Sequence, residues 1–153
     1  MSSTAVAARS EATESLAPSR AEFRTLLEHV LSDVDADEKL GALLRAASLR
    51  VRFHYPDLGM ILNVAASDRS GHHLRWAFSD DVPWSPKLRM EMDSSVANRY
   101  LQGRESLAVA IARGRVRVKG DSRVALLYLP AIRLVCEPYR RVLAAEYPHL
   151  ASG

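Results

Sequence analysis

The hydrophobic pattern of the chain changes its period several times, and each change predicts a different kind of secondary structure. Before residue 49, apolar residues recur every three or four positions, which is typical of amphipathic helices. From residue 49 to residue 93, apolar and polar residues alternate, as they do in strands that bury one face. Helical spacing then returns on both sides of one further alternating segment, so that helices also follow the strands.

Two helices are predicted ahead of the strands. Ser19 and Glu22 can form a capping box, so the first helix is expected to begin there and to end near Ser32. Asp35 or Asp37 is expected to start the second helix, because a carboxylate oxygen can accept from the free amides of a first turn. The inward-facing positions are predicted to be Phe23, Leu26, Leu27, Val30 and Leu31 in the first helix and Leu40, Leu43, Leu44 and Ala47 in the second.

Five strands are predicted from the alternation. Their apolar positions are Leu49, Val51, Phe53 and Tyr55; Met60, Leu62 and Val64; Leu74, Trp76 and Phe78; Leu88, Met90 and Met92; and Val116 and Val118. A Pro-Asp-Leu-Gly turn at 56–59 separates the first two strands, and a longer connection runs through 80–86. We therefore predict an α/β (α+β) fold, in which a five-stranded, mainly antiparallel sheet exposes one face to water and is covered by helices on the other.

The segment 93–121 predicts two short helices around a turn, followed by the last strand. The acidic and hydroxyl side chains of residues 93–95 suit a helix start, and Gly103 suits the end of that helix. A second helix is expected to open at Glu105 and to end at Gly114. Gly120 and the next residue, Asp121, then turn the chain into C-terminal helices.

Prolines divide the C-terminal part of the chain. Pro130 is expected to kink or end the first of these helices, because it lacks an amide hydrogen and its ring crowds the preceding turn. An apolar segment is expected to continue to Pro138. A last helix is predicted from Tyr139 to Tyr147.

The segment 93–121 resembles the sterol carrier protein type 2 family. That family typically shows an acidic residue, a short helix ending in Leu-x-Gly, an Ala-rich helix, and a Gly-basic-apolar-basic-apolar-x-Gly-Asp run. The matching positions here are Asp93, Leu101-Gln102-Gly103, residues 108–113, and the run GRVRVKGD at 114–121. A looser resemblance covers roughly residue 49 to the C-terminus. The resemblance to this family implies an apolar tunnel between the sheet and the helices that holds a lipid.

The tunnel implied by the resemblance would be lined by apolar residues of the sheet and of the later helices. Plain packing of these side chains as a core is the alternative, and their spacing does not separate the two. The flexible thioethers of two methionines favour a cavity slightly, because they adapt to ligands of irregular shape. The candidate ligand-binding residues are Trp76, Phe78, Met90, Met92, Tyr100, Ile111, Leu127, Tyr128 and Ile132.

The function predicted on this basis is the binding of a lipophilic small molecule by a carrier or presenter. The ligand would be a lipid, a fatty-acyl chain, a sterol, or a terpenoid-like or polyketide-like compound. The alternative is a small cyclase or isomerase of lipid or natural-product metabolism, in which the same tunnel orients the substrate. Polar groups for such an enzyme would be Tyr100, Tyr128 or Asp121. A third hypothesis is a module that acts on a larger enzyme.

No other chemistry is indicated by the sequence. It contains no nucleophile elbow, phosphate-binding loop or dinucleotide motif, so neither a catalytic residue nor a cofactor is predicted. His72 and His73 would point to opposite faces of a strand and the other histidines are scattered, so no metal is expected. Cys136 is interpreted as a small buried hydrophobe, and the pair Asp80 and Asp81 as solvated turn residues.

The net charge of +3 conceals an asymmetry. Residues 1–48 hold 5 basic and 8 acidic side chains, a balance of −3, whereas residues 49–153 hold 16 and 10, a balance of +6. This excess is too interrupted by acids to predict a nucleic-acid partner. A solvated face is the default interpretation, and transient contact with an anionic membrane or a partner enzyme is the functional one. The basic residues expected on the open sheet face are Arg50, Arg52, Arg113, Arg115, Arg117 and Lys119.

Composition predicts the setting of the protein. A single cysteine and the absence of an apolar run of about 20 residues predict a cytoplasmic protein without an internal disulfide. The use of 18 Arg against 3 Lys is typical of a GC-rich bacterial genome. Residues 1–18 are expected to form a disordered tail, and residues 19–150 a single domain in which 19–48 are additional N-terminal helices. The oligomeric state stays open, with a dimer among the alternatives.

Overall fold

The computed structural model describes residues 17–151, so most of the predicted tail lies outside the described residues. The helices are α1 (Arg20–Ala36), α2 (Glu38–Ala46), α3 (Ser94–Leu101), α4 (Leu107–Ala112), α5 (Ser122–Arg133) and α6 (Cys136–Glu146). The strands are β1 (Arg50–Tyr55), β2 (Met60–Ala66), β3 (Leu74–Ala77), β4 (Leu88–Met92) and β5 (Val116–Gly120). Short 3-10 helices follow β1 (Pro56–Leu58) and α6 (Pro148–Leu150).

The five strands form one sheet in the order β3-β2-β1-β4-β5. All neighbouring strands are antiparallel except the central pair β1 and β4, which is parallel. The predicted α/β fold with a five-stranded, mainly antiparallel sheet is therefore confirmed. Val51, Phe53 and Tyr55 of β1 are buried in the core, whereas the residues between them are only partly covered.

The helices cover the apolar face of the sheet and share one core with it. Phe23, Leu26 and Val30 of α1 have no exposed surface. The Phe23 ring meets Tyr55 of β1 edge to face, with 5.0 Å between the ring centroids. Because α1 also packs against α6, the first helix joins the sheet to the C-terminal helices.

Two predicted helix starts are confirmed by their side-chain hydrogen bonds. Ser19 and Glu22 form the capping box of α1: the Glu22 amide donates to Ser19 Oγ (3.1 Å) and the Ser19 amide to Glu22 Oε1 (3.0 Å). Asp121 caps α5, since its Oδ1 accepts from the Arg123 amide at 2.8 Å. Side-chain hydrogen bonds between residues close in sequence therefore fix the first turns of α1 and α5.

The boundary between α1 and α2 differs from the prediction. Asp37 caps α2 by accepting from the Leu40 amide at 2.9 Å, and α1 extends to Ala36, one turn beyond Ser32. Val34 in this extra turn is fully buried. Its burial outweighs the modest helix propensity of the neighbouring aspartates, which is a tertiary effect that local sequence does not reveal.

The inward face of α2 is narrower than predicted. Leu44 is buried, but Leu43 is 50% exposed and does not face the core. The helix spans only Glu38–Ala46, and Leu40, one turn before Leu44, is partly buried. A short helix that touches the core along a narrow stripe cannot bury two consecutive leucines.

The cap of α3 comes from a distant part of the chain. Asp93 occupies the N-cap position, but its side chain makes no capping hydrogen bond, contrary to the prediction. Instead the Asp57 carboxylate accepts from the amide of Ser94 (2.9 Å) and from its hydroxyl (2.5 Å). Ser94 is fully buried, so this interaction ties the turn after β1 to the start of α3.

The C-terminal helices pass through both prolines. α5 continues beyond Pro130 to Arg133, so Pro130 does not end it. α6 begins at Cys136, earlier than the predicted Tyr139, and Pro138 lies in its first turn. A proline is tolerated in a first turn because the amide it lacks would have no helical partner there.

The connection between β3 and β4 crosses the polar face of the sheet. These strands are not neighbours, and Asn63 of β2 donates to the Ser79 carbonyl (2.7 Å) beneath the connection. Arg52 of β1 pairs with Asp80 (2.6 Å) and holds the pKa of that carboxyl below its ordinary value. Asn63 is only 1% exposed, so the face expected to be open to water is covered over β1 and β2.

The distant cap of α3 makes a direct prediction. We expect Asp57→Ala to lower the free energy of unfolding by about 1–2 kcal/mol, because two groups of Ser94 lose their acceptor. The matched control Asp93→Ala should change it by less than about 0.5 kcal/mol, although Asp93 holds the N-cap position. Urea unfolding of both variants measures the difference, and equal losses would contradict the assigned cap.

Candidate functional site

An apolar cavity of about 60 Å³ lies between the helices and the sheet. Its walls come from α1, α2, the first three strands, α3 and α5, and no charged side chain lines it. A cavity with such walls holds apolar groups in preference to water, which would find no hydrogen-bond partners there. The lining residues are Leu27, Val30, Leu31, Leu44, Leu49, Val51, Phe53, Tyr55, Leu62, Val64, Leu74, Tyr100, Leu101, Ile132 and Val135.

A groove of about 750 Å³ lies beside the cavity, between the α3–α4 connection, α4, α5 and the start of α6. Unlike the cavity, it has both apolar and charged walls. Tyr100 lines the groove as well as the cavity, so this residue lies at the boundary between them. The groove-lining residues are Tyr100, Gly103, Glu105, Ser106, Leu107, Ala108, Leu129, Pro130, Arg133, Leu134, Cys136, Glu137 and Arg140.

Tyr100 is a neutral boundary residue. Burial raises the pKa of its hydroxyl far above the ordinary value, and the nearby Cys136 raises it further. The Cys136 thiol also donates to the Tyr100 carbonyl at 3.5 Å. The Tyr100 side chain therefore stays uncharged near neutral pH.

The thiol of Cys136 is held in its protonated form. Burial raises the pKa of this thiol, and the positive charges of Arg140 and Arg133 offset only part of the increase. Because the thiolate is the reactive species, a raised pKa disfavours nucleophilic chemistry at neutral pH. Arg133 and Arg140 are exposed on the groove wall, and so is the carboxylate of Glu137.

Asp35 fixes α1 over the cavity. Its Oδ1 accepts from the amides of His73 (2.7 Å) and Leu74 (2.9 Å), and its Oδ2 lies 2.8 Å from His72 Nδ1. Burial disfavours the charged form of Asp35, but these hydrogen bonds outweigh it, and the pKa is held below its ordinary value. The carboxylate therefore joins α1 to the start of β3.

A buried polar network fixes α3 on the other side of the cavity. The Tyr139 hydroxyl donates to Asn98 Oδ1 (2.7 Å), and Asn98 Nδ2 donates to the Leu150 carbonyl (3.0 Å). Gln102 Nε2 donates to the same carbonyl at 3.1 Å. Satisfied hydrogen bonds of this kind hold α3, α6 and the last 3-10 helix in one arrangement.

Two of the nine predicted ligand-binding residues, Tyr100 and Ile132, line the apolar cavity. Met90 and Met92 are buried in β4 but line neither the cavity nor the groove. Tyr128 is buried on α5, where its hydroxyl donates to the Ser48 carbonyl at 2.8 Å. Contact of these residues with a ligand stays a prediction.

Trp76 and Phe78 lie together at the edge of the sheet, next to α1. Trp76 Nε1 donates to Glu28 at 2.8 Å, and the Arg24 guanidinium lies 5.0 Å from the centre of the Phe78 ring. Both rings are partly buried against the core. They pack against α1 and not around the cavity.

Ile111 and Leu127 were also predicted to line the tunnel. Ile111 is partly buried on α4 and packs against the core. Leu127 is 56% exposed, because the neighbouring Tyr128 takes the inward position on α5. Neither residue lines the cavity or the groove.

Most residues that line the cavity were predicted from the sequence to face the core, but not to line a cavity. Val30, Leu44 and Leu62 were predicted to face inward, but spacing does not show where packing leaves a space. Arg133 and Arg140 of the groove were not predicted at all. Their position depends on how α5 and α6 pack, and no local pattern encodes it.

The chain has the fold of sterol carrier protein 2 domains, which confirms the predicted resemblance at the level of the fold. The apo form of sterol carrier protein 2 from Yarrowia lipolytica gives a TM-score of 0.52 at 11% identity, over 75% of this chain and 87% of that one. The UbiJ-SCP2 ubiquinone synthesis protein gives 0.51 at 18% identity, over 69% and 84%. A conserved hypothetical protein from Thermus thermophilus, described as a possible sterol carrier protein, gives 0.50 at 17%, over 75% and 86%.

Other comparisons add no argument about function. A stereoselective inverting sec-alkylsulfatase from Pseudomonas sp. matches 60% of this chain at 14% identity and a TM-score of 0.49, but the chain spans only 14% of its length. No protein-family model matches the sequence, and neither does any curated protein. The similarity therefore establishes the fold, while the ligand has to be inferred from the site.

Two structural findings concern metals and membranes. Within residues 17–151, no three His, Cys, Asp or Glu side chains come together in a group that could hold a metal ion. In the same part of the chain, no helix is long and apolar enough to cross a membrane.

The anchoring role of Asp35 predicts a pH-dependent stability. Because its pKa is lowered on folding from an ordinary value of 3.8, Asp35 stabilises the fold above that pH and loses this effect as the pH falls through the lowered pKa. Asp35→Asn should lower the free energy of unfolding by about 1–3 kcal/mol at neutral pH, and by progressively less as the pH falls below 3.8. The exposed Asp33→Asn on the same helix serves as control. A difference between Asp35→Asn and the parent that is independent of pH would contradict this role.

Proposed function

We propose that this protein binds one lipophilic small molecule between its helices and its sheet, as a carrier or presenter. The observation that carries the proposal is the apolar cavity, which shares the lining residue Tyr100 with a larger groove. The fold shared with sterol carrier protein 2 domains supports a lipid-binding role. The ligand classes that suit these walls are lipids, fatty-acyl chains, sterols, and terpenoid-like or polyketide-like compounds.

Binding requires the cavity to enlarge. Its volume of about 60 Å³ is well below the roughly 300–1,000 Å³ of typical ligand sites. The groove supplies a volume of the right size, about 750 Å³, on the other side of Tyr100. We therefore propose that a displacement of the Tyr100 ring joins the two spaces into a tunnel.

The elements around the groove are suited to such a movement. Pro130 lines the groove inside α5 and has no amide hydrogen, so the carbonyl of Leu126 lacks its helical partner. α4 spans only Leu107–Ala112, and Ala110 is the one fully covered residue in it. Few buried contacts and a missing hydrogen bond lower the free energy of local opening.

The energetics allow a useful affinity. Burying ten methylene groups contributes about 8 kcal/mol, before the costs of association and of ordering the chain are subtracted. Opening the cavity subtracts more. Micromolar or weaker binding is the expected range, which suits a protein that must release its ligand.

Ligand would be collected from, or delivered to, an anionic membrane or a partner enzyme. The basic residues predicted for the sheet face give only limited support to the idea that this face contacts the membrane or the partner enzyme. Arg52 is paired with Asp80 and Arg115 with Glu105, and Arg117 lies 3.9 Å from Glu91. This pairing favours a solvated face, while the sheet face stays a testable alternative.

The structure offers little support for the alternative cyclase or isomerase. Of the three polar groups proposed for it, Tyr128 donates to a backbone carbonyl and Asp121 caps α5. Tyr100 lines the cavity, and burial raises the pKa of its hydroxyl, which disfavours a role as a general base. Carrier or presenter is therefore the function that these contacts favour, whether the protein acts alone or as a module on a larger enzyme.

The tunnel proposal is tested by displacement of a solvatochromic fatty-acid probe. Ala108 and Ala112 are both exposed on α4, but only Ala108 lines the groove. Ala108→Trp should fill the groove and weaken probe binding at least about tenfold, which corresponds to about 1.4 kcal/mol. Ala112→Trp should leave it near the parent value.

A second variant tests the cavity itself. Ile132→Phe adds an aromatic ring to the cavity wall and should also reduce probe binding, with circular dichroism and thermal unfolding as checks on the fold. If Ala108→Trp and a folded Ile132→Phe both bind the probe like the parent, the ligand site lies elsewhere.

A further inference from the structure

Most of the exposed large apolar side chains lie in one segment of the chain. Within residues 17–151, the large hydrophobic side chains that remain exposed are Val109 (40%), Leu126 (75%), Leu127 (56%), Leu134 (38%) and, on α2, Leu43 (50%). All but Leu43 lie in the segment 109–134, which contains most of α4 and all of α5. Single exposed leucines need no explanation, but a group of them marks a contact surface.

The group has the geometry of a helix face. Pro130 follows Leu126 by four residues and Leu127 by three on α5, so it shares one side of the helix with both, and Arg123 and Arg133 lie at the two ends of this side. We call these five residues the outer face of α5. All five are exposed, while the opposite side of the helix is buried through Tyr128, Ala131 and Ile132.

We propose that the outer face of α5 docks on an anionic lipid bilayer. An apolar stripe with arginines at its margins is the pattern of helices that lie in a membrane interface, where the leucines enter the headgroup boundary and the guanidinium groups meet lipid phosphates. Arg140 adds a third exposed cation from the groove wall, against one exposed carboxylate there, Glu137.

Charge also argues against a second copy of the chain as the occupant. A two-fold contact would bring the outer face of α5 against itself and place arginines near arginines. Two leucines and a proline are also a small apolar area for a stable dimer, which buries about 1,200 Å² or more. An anionic bilayer satisfies both the apolar stripe and the positive charge.

The outer face of α5 lies next to the groove. Leu129, Pro130 and Arg133 of α5 and the following Leu134 line the groove, so the groove opens beside the surface that would meet the lipid. A lipophilic molecule could then pass between bilayer and groove without crossing bulk water. The transfer of a ligand during docking rests on the proposed function. The docking itself is measured without any ligand.

The experiment measures co-sedimentation of ligand-free protein with phosphatidylcholine vesicles that contain phosphatidylglycerol. Leu126→Glu should weaken binding at least about tenfold, because it removes an inserted side chain and adds a like charge. Leu43→Glu is the matched control, since Leu43 is similarly exposed on α2, and it should bind like the parent.

A charge pair of variants tests the electrostatic part. Arg123→Glu should weaken vesicle binding about fivefold or more, and Arg45→Glu on α2 should not. Parent binding should fall with added salt and should be weak to vesicles of phosphatidylcholine alone.

Three results would overturn the proposal. The first is equal vesicle binding by Leu126→Glu, Leu43→Glu and the parent. The second is loss of binding in Arg117→Glu/Lys119→Glu while Arg123→Glu binds normally, which would assign the contact to the sheet face. The third is a parent dimer in sedimentation velocity that Leu126→Glu dissociates, which would assign this face to a second copy.

The docking proposal and the carrier proposal fail separately. The soluble fatty-acid probe should bind to Leu126→Glu as it does to the parent, because Leu126 lines neither the cavity nor the groove. Loss of vesicle binding with intact probe binding supports docking through α5. Vesicle binding that depends on Leu126 in a parent that binds no probe would keep the docking surface and contradict the carrier function.

Discussion

The apolar face of the sheet must be covered, and this constraint determines where most of the helices lie. β1 is central, with β2 antiparallel on one side and β4 parallel on the other, so the chain cannot build the sheet from hairpins alone. The connection from β3 to β4 crosses the polar face, which leaves the apolar face to the helices. α1 provides a large part of this cover, and Asp35 and the ring contact between Phe23 and Tyr55 hold it in place.

The same cover leaves an apolar cavity unfilled. Helices from the start, middle and end of the chain meet over the sheet, and their side chains do not fill the space between Val30, Leu62 and Ile132. Rigid anchors lie to the sides of this cavity: the carboxylate of Asp35 and the network around Asn98. The groove side is weaker, because α4 is short and Pro130 interrupts the hydrogen bonding of α5. The proposed opening of the site therefore falls on the side where fewer contacts and hydrogen bonds hold the helices.

Sequence predicted the parts of the fold that local rules control. The alternation indicated the five strands, and the Ser19 cap lies where its capping box predicted it, since this signal involves neighbouring residues. The parts that were missed depend on residues far apart in the chain. Asp57 caps α3 from another element, and Leu127 is exposed because of how α5 packs. Of the nine candidate ligand-binding residues, Tyr100 and Ile132 line the cavity. The groove could not be predicted from the sequence, because its walls depend on how the helices pack.

Native mass spectrometry of the intact chain, after exposure to a total lipid extract and removal of free lipid, tests the central claim most directly. A protein that opens one apolar tunnel should retain a single lipophilic molecule of defined mass. That molecule should dissociate on collisional activation and rebind at one-to-one stoichiometry when it is added back. A chain that keeps only its own mass across extracts and concentrations, or that binds many lipids without saturation, would contradict the account.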